Sequence, residues 1–229
     1  MTSRTLSLTA ELVARCHRVV EDPGPDANNT YLDDDDYATM VDTMLAQHHP
    51  GDPIWLFAYG SLIWKPEVPH EEERVARAHG WHRSFCLKMT RWRGSKEQPG
   101  LMLGLDRGGA CQGLALRLPA GDPREQLGKL FRREMTAKPS TYTPRWLKLS
   151  TDSGALRGLG FVINPKGRAY SGRLSDEEVA GTLACACGHW GSGADYLHNA
   201  VTNLELRGIH DRHLWRLQQL VAAAIVARQ

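Results

Sequence analysis

The sequence predicts an α+β fold: a small mixed or antiparallel β-barrel flanked by helices, with an N-terminal helical extension. Three observations carry that expectation. Between residues 51 and about 165 the chain is a series of short β-forming runs with little helix among them. Turn-forming residues separate the runs. Apolar residues at helical spacing dominate residues 1–50 and the C-terminal third. Residues 1–50 are expected to form the extension, and 51–229 one larger domain.

The extension begins with a helical pattern over residues 10–20, capped by Thr9, with Leu12, Val13, Cys16, Val19 and Val20 on one stripe. Residues 22–30 carry Pro23, Gly24, Pro25, Asn28 and Asn29 and read as a loop. The acid run 33–36 follows. It lacks the Gly and terminal Glu of a calcium loop and reads as a solvated helix start, where acids favour the dipole. The helix behind it carries Tyr37, Met40, Val41, Met44 and Leu45.

The barrel is expected to start at residues 54–59, a buried apolar strand preceded by Pro53. Gly60-Ser61 ends it in a tight turn. Glycine lets a second group approach the backbone there, and the N–H groups of Ser61 and Leu62 form a nest suited to a carboxylate or carbonyl. Further strands are expected at 83–89, 101–106, 111–118, 146–151 and 156–164, with Gly108-Gly109 as a hairpin turn. One helix interrupts them, from Pro123 to a stop before Pro139. The C-terminal third reads as three helices. The first opens on a Ser175/Glu178 capping box and ends near Gly188. The second covers about 195–206, and the third runs from about 211, with Leu214, Leu217, Val221 and Ile225 on one face.

Glu134 breaks the pattern. It shares a stripe with Leu127, Leu130 and Phe131, where an apolar residue belongs. A carboxylate on a buried face must be hydrogen-bonded, paired or neutral, and desolvation raises its pKa toward values useful for proton transfer. The alternative is an edge acid paired with Arg132, Arg133 or Lys138.

Other constellations carry less. In Cys185-Ala-Cys-Gly-His189 the cysteine and histidine ends would share a helix face, but no second pair stands at ligand spacing; small buried residues beside Gly188 are the better reading. His210 and His213 read as capping or surface residues. Ser61 follows a strand, yet no Gly-x-Ser-x-Gly elbow surrounds it. The stretch 90–96 mixes bases with Trp92, but the net charge is only +2, which argues against nucleic acid or an anionic membrane as partner. No phosphate-cradling or dinucleotide motif appears, so no cofactor and no metal are expected. Five cysteines show no disulfide framework. Polar residues interrupt 6–20, and the longest apolar run, 220–227, is far short of the ~20 residues a membrane span needs. A cytoplasmic location is expected.

Taken together, YGSLIW at 59–64 after an apolar strand and FRREM at 131–135 closing a helix resemble the ChaC-like γ-glutamylcyclotransferases. So do GWHRSF at 80–85, GLALRLP at 113–119 and ADYL at 194–197, so that the likeness runs from about residue 54 to the C-terminus. The resemblance implies a small barrel flanked by helices and cleavage of glutathione, a small-molecule substrate, to 5-oxoproline and cysteinylglycine. It carries the catalytic glutamate onto Glu134. The substrate loop falls on Leu56, Phe57, Ala58, Tyr59, Gly60 and Ser61, with Leu62 adjacent, and Tyr142 is a weaker carry-over. Ala58 stands where relatives often carry Gly, which adds a methyl group and leaves the backbone donors in place. A different class of function, a non-catalytic sensor of γ-glutamyl metabolites linked to cation transport, would use the same pocket. An intact Glu134 argues against it.

Overall fold

The computed structural model describes residues 5–228. In chain order its elements are α1 (Ala10–Arg15), β1 (Thr30–Tyr31), α2 (Asp34–Leu45), β2 (Trp55–Ala58), a 3₁₀ turn (Ser61–Ile63), β3 (Glu72–Met89), β4 (Gly100–Arg117), α3 (Pro123–Glu134), β5 (Ala137–Lys138), β6 (Tyr142–Thr151), β7 (Gly154–Ile163), α4 (Asp176–Leu183), β8 (Cys187–Gly188), β9 (Gly191–Ser192), α5 (Gly193–Glu205) and α6 (Arg212–Val226). The chain divides into two compact units. One gathers Met1–Gly24, Ser84–Gly104 and Ser171–Gln229; the other gathers Pro25–Arg83 and Leu105–Tyr170.

The expected barrel is present. Its strands close in the order β2-β4-β3-β6-β7. β2 runs antiparallel to β4, with Trp55 opposite Arg117 and Ala58 opposite Leu114. It meets β7 in parallel at Leu56 and Leu159, so the barrel is mixed. Alternation sorts the side chains by face. Trp55, Phe57, Tyr59, Ala76, Ala78, Leu105, Ala115, Leu147, Leu149 and Val162 form one buried cluster. Leu56, Leu114, Leu116, Leu159 and Phe161, from the alternate positions, are also buried, as are Leu127, Leu130 and Phe131 of α3. Phe131 meets Phe161 edge to face at 6.0 Å. A buried phenyl ring of this kind is worth about 2–3 kcal/mol.

Several expectations need correction. Gly108-Gly109 is not a hairpin turn; it lies inside the single strand β4. Both glycines adopt left-handed φ, +103° and +67°, and His82 Nδ1 sits 3.2 Å from the Gly108 carbonyl. The pair therefore bends a continuous strand, as a bulge does, rather than reversing the chain. The connection from β3 to β4 is instead the stretch 90–99. Residues 72–82 are also strand, which the sequence pattern hid, because the inward positions there are the small Ala76 and Ala78.

The other unit holds α1, α4, α5 and α6 with the 84–104 hairpin end. α1 stops at Arg15, and Val19, expected on its buried stripe, is 95% exposed. Arg18 beyond it donates to the Cys185 carbonyl and to Gln98, and two β-branched residues follow that favour leaving the helix. Leu8 and Gln218 are both fully buried, and the Leu8 N–H donates to Gln218 Oε1 at 2.8 Å. The Ser175/Glu178 capping box forms as expected. α4, however, ends at Leu183, and residues 187–192 turn back as the β8–β9 pair. Gly188 permits this: a Cβ there would stand 2.4 Å from the Trp92 carbonyl oxygen. His210 pairs with Glu205, and His213 with Asp176. Among the described residues no helix is long and apolar enough to cross a membrane, and none of the cysteines forms a disulfide.

Candidate active site

The site grows from the end of β2. Leu56, Phe57 and Ala58 are fully buried, and Tyr59, Gly60 and Leu62 nearly so. Beyond Gly60 the chain closes a 3₁₀ turn. Ile63 N–H donates to the Gly60 carbonyl at 2.9 Å, and Lys65 N–H to the Ser61 carbonyl at 2.8 Å. These bonds leave the N–H groups of Gly60, Ser61 and Leu62 without an acceptor among the described residues. Unbonded donors in so buried a place call for a reason, and a ligand acceptor supplies one.

The surrounding strands lock this turn. Arg83, only 6% exposed, donates from Nε to the Tyr59 carbonyl at 2.6 Å and from Nη2 to the Gln112 carbonyl at 2.6 Å. Tyr59 donates its hydroxyl proton to the Phe161 carbonyl at 2.9 Å. On β4, Gly113 lets the backbones approach; a Cβ there would lie 2.3 Å from the Ala58 carbonyl oxygen. Among the described residues the histidine rings bond Asp52, Pro50, Ser150, Gly108, Glu205 and Asp176, and none accepts the Ser61 hydroxyl proton as the base of a serine nucleophile would.

Glu134 is the last residue of α3, and its side chain is 15% exposed. Desolvation pushes its carboxyl up to about 6, with Arg133 opposing the rise and Glu67 adding to it. The C-terminal end of a helix dipole is also unfavourable to a carboxylate. Of the three cations considered as partners, only Arg133 stands beside it, with Nε 3.0 Å from Glu134 Oε1. Arg132 bonds Asp34, and Lys138 bonds Asp36. Arg133 also donates to the carbonyls of Lys65 (2.6 Å) and Pro66, in the segment that leaves the turn. Acid and turn are thereby joined.

Tyr142 lies one step away. Its ring meets Phe161 at 6.4 Å, and it lines an open groove of about 760 Å³ between α2 and β6. That groove is lined by neither Glu134 nor residues 56–62. Arg83, Arg133 and Gly113 shape the site without having been assigned a role from sequence. Arg83 and Gly113 lie in the GWHRSF and GLALRLP segments of the family resemblance, and Arg133 stood out as a cation beside a misplaced acid.

Known proteins resemble this chain in sequence and fold. The model of the family described as ChaC-like protein matches residues 54–224. The glutathione-specific gamma-glutamylcyclotransferase of Escherichia coli strain K12 is 35% identical over 175 residues, covering 76% of this chain and 74% of that protein. The glutathione-specific gamma-glutamylcyclotransferase 1 of Mus musculus is 31% identical over 175 residues, covering 72% and 77% respectively. The fold is similar to the crystal structure of a gamma-glutamyl cyclotransferase specific to glutathione from yeast, with a TM-score of 0.67. That match has 21% identity and covers 76% of this chain and 97% of that one.

Proposed function

This chain belongs to the ChaC-like family, and we propose that it is a glutathione-specific γ-glutamylcyclotransferase, a carbon–nitrogen lyase, with Glu134 as its general base and acid. The observation that carries the reading is the buried Glu134 carboxyl, pushed up to about 6 and joined through Arg133 to a turn with unbonded N–H donors. The relatives named for this activity support the choice of glutathione as substrate.

The chemistry is an internal cyclisation. The α-amine of the γ-glutamyl group attacks its own γ-carbonyl carbon. A C–N bond forms, the γ-amide C–N bond breaks, and the products are 5-oxoproline and cysteinylglycine. Nucleophile and electrophile share one molecule, so the protein's main task is to fold the glutamyl chain into reactive geometry. The amine must lose a proton to attack, and the leaving nitrogen must gain one. A carboxyl near 6 is mostly ionised at neutral pH yet still basic enough to accept the first proton and return it. The N–H groups of Gly60, Ser61 and Leu62 hold the glutamyl carboxylate and the oxyanion. Leu56, Phe57, Ala58 and Tyr59 shape that cradle; Tyr142 is set apart from it, on the neighbouring groove, and reaches it only through its ring contact with Phe161. We place the reaction in the cytoplasm, with no membrane or nucleic-acid partner.

Purified protein incubated with glutathione should release equimolar 5-oxoproline and cysteinylglycine, measured by mass spectrometry. Intact glutathione after prolonged incubation would overturn the reading.

A further inference from the structure

Arg133 does more than neutralise its neighbour. Its side chain is 18% exposed, and its planar fork reaches several acceptors at once. Nε faces Glu134 Oε1 at 3.0 Å, Nη2 donates to the Lys65 carbonyl at 2.6 Å, and Nη1 donates to the Pro66 carbonyl. Nη1 also faces Glu67 Oε2 at 3.7 Å. Lys65, Pro66 and Glu67 leave the 3₁₀ turn directly. Glu67 itself adopts a left-handed φ of +53°, unusual for a residue with a side chain. Its carboxylate is held by Lys65 Nζ at 3.1 Å as well as by Arg133. Strained backbone of this kind persists where the surroundings over-determine it, and it gathers at sites that need fixed geometry.

We propose that Arg133 is a positioning residue, which ties the acid at the end of α3 to the segment leaving the substrate turn, with Glu67 as its counter-charge. A helix end and a loop are otherwise free to shift against each other. A misplacement of about 1 Å between base and substrate can cost on the order of a hundredfold in rate. Carbonyl contacts alone would staple helix to loop. The same guanidinium also presents its Nε to the proton-transferring carboxylate, and so sets that group's position and its charge together. Two charged groups act on the Glu134 carboxylate, Arg133 favouring its ionised form and Glu67 opposing it. Their removal therefore moves its titration in opposite directions, which a simple staple would not do. This inference rests on the role given to Glu134 above.

The test is the pH dependence of kcat/KM with glutathione. The acidic limb should rise by about one pH unit in Arg133→Gln, with at least a tenfold fall in kcat. It should move down in Glu67→Gln. Arg133→Lys should return the limb toward the wild-type position without restoring kcat, because an ammonium group cannot span the fork. Limbs that stay in place, or that move the same way in both Gln variants, would overturn the proposal. Should Arg133→Gln fail to fold, Glu67→Gln decides, since Glu67 is exposed and its limb must still fall. If the wild-type protein releases no 5-oxoproline, the proposed reaction fails but the positioning role can still be measured. The Glu134 carboxyl is then titrated by infrared difference spectroscopy, assigned by its loss in Glu134→Gln. Opposite shifts in the two variants support the clamp, and unmoved titrations refute it.

Discussion

At the start of α2, Asp33 accepts from the Asp36 N–H and Asp36 from the Asp33 N–H, both at 2.9 Å, and Lys138 bonds Asp36. At the end of α3, Glu134 has one arginine and a nearby carboxylate and is mostly out of water. Both places are helix ends in the same unit, and both carry acids. The Lys138 hydrogen bond, with the helix-start N–H, holds the Asp36 carboxyl below its usual range, while burial pushes Glu134 up to about 6. Hydrogen-bond partners and access to water decide the outcome, and residue type does not. The two regions are also linked by supply: Asp34 and Asp36 engage Arg132 and Lys138, leaving Arg133 beside Glu134.

The contrast can be broken most forcefully at Glu134. Glu134→Gln should fold and bind substrate but lose turnover by at least about a hundredfold, measured as 5-oxoproline release. Retained turnover would move the proton transfer elsewhere and erase the distinction between the two helix ends.

A smaller effect runs in the opposite direction, on stability. An acid whose folded pKa lies above its unfolded value binds more protons when folded, so stability falls as pH rises between the two. For Glu134 that window runs from about 4.5 to about 6. Above it the buried charge costs at most about 2 kcal/mol. Glu134→Gln should therefore melt above the wild-type protein at pH 8, with the gap closing near pH 4.5. A gap that does not change with pH would show that the carboxyl is not strained by burial.

The smallest effect belongs to the other helix end. Asp33→Ala removes the cap of α2 and should cost about 1 kcal/mol in urea denaturation, with turnover unchanged. A loss of turnover there would mean that α2 contributes to the site, contrary to its structural role.

Much of the fold was legible in the sequence. Periodicity marked β2, α2, α3, α5 and α6, and the stripe through Leu127, Leu130 and Phe131 exposed Glu134 as out of place. Errors fell where local rules compete with pairing. Gly108-Gly109 reads as a turn in isolation, yet it bends a long strand because β4 is held on both sides. Ala76 and Ala78 face the core but are too small to mark residues 72–82 as strand. The helical pattern over 10–20 outlasts α1, since Arg18 finds acceptors on distant parts of the chain.

The buried strand Trp55–Ala58 and the place of Glu134 on the apolar stripe of α3 were legible from sequence alone, because burial period and residue chemistry are local properties. Tertiary structure decided which arginine meets the acid, that Arg83 and Gly113 hold the turn in place, and that the N–H groups of Gly60, Ser61 and Leu62 find no acceptor among the described residues. Those outcomes depend on distances between segments far apart in the chain. The pKa of Glu134 depends on them too, because desolvation and charge act through space and not along the sequence.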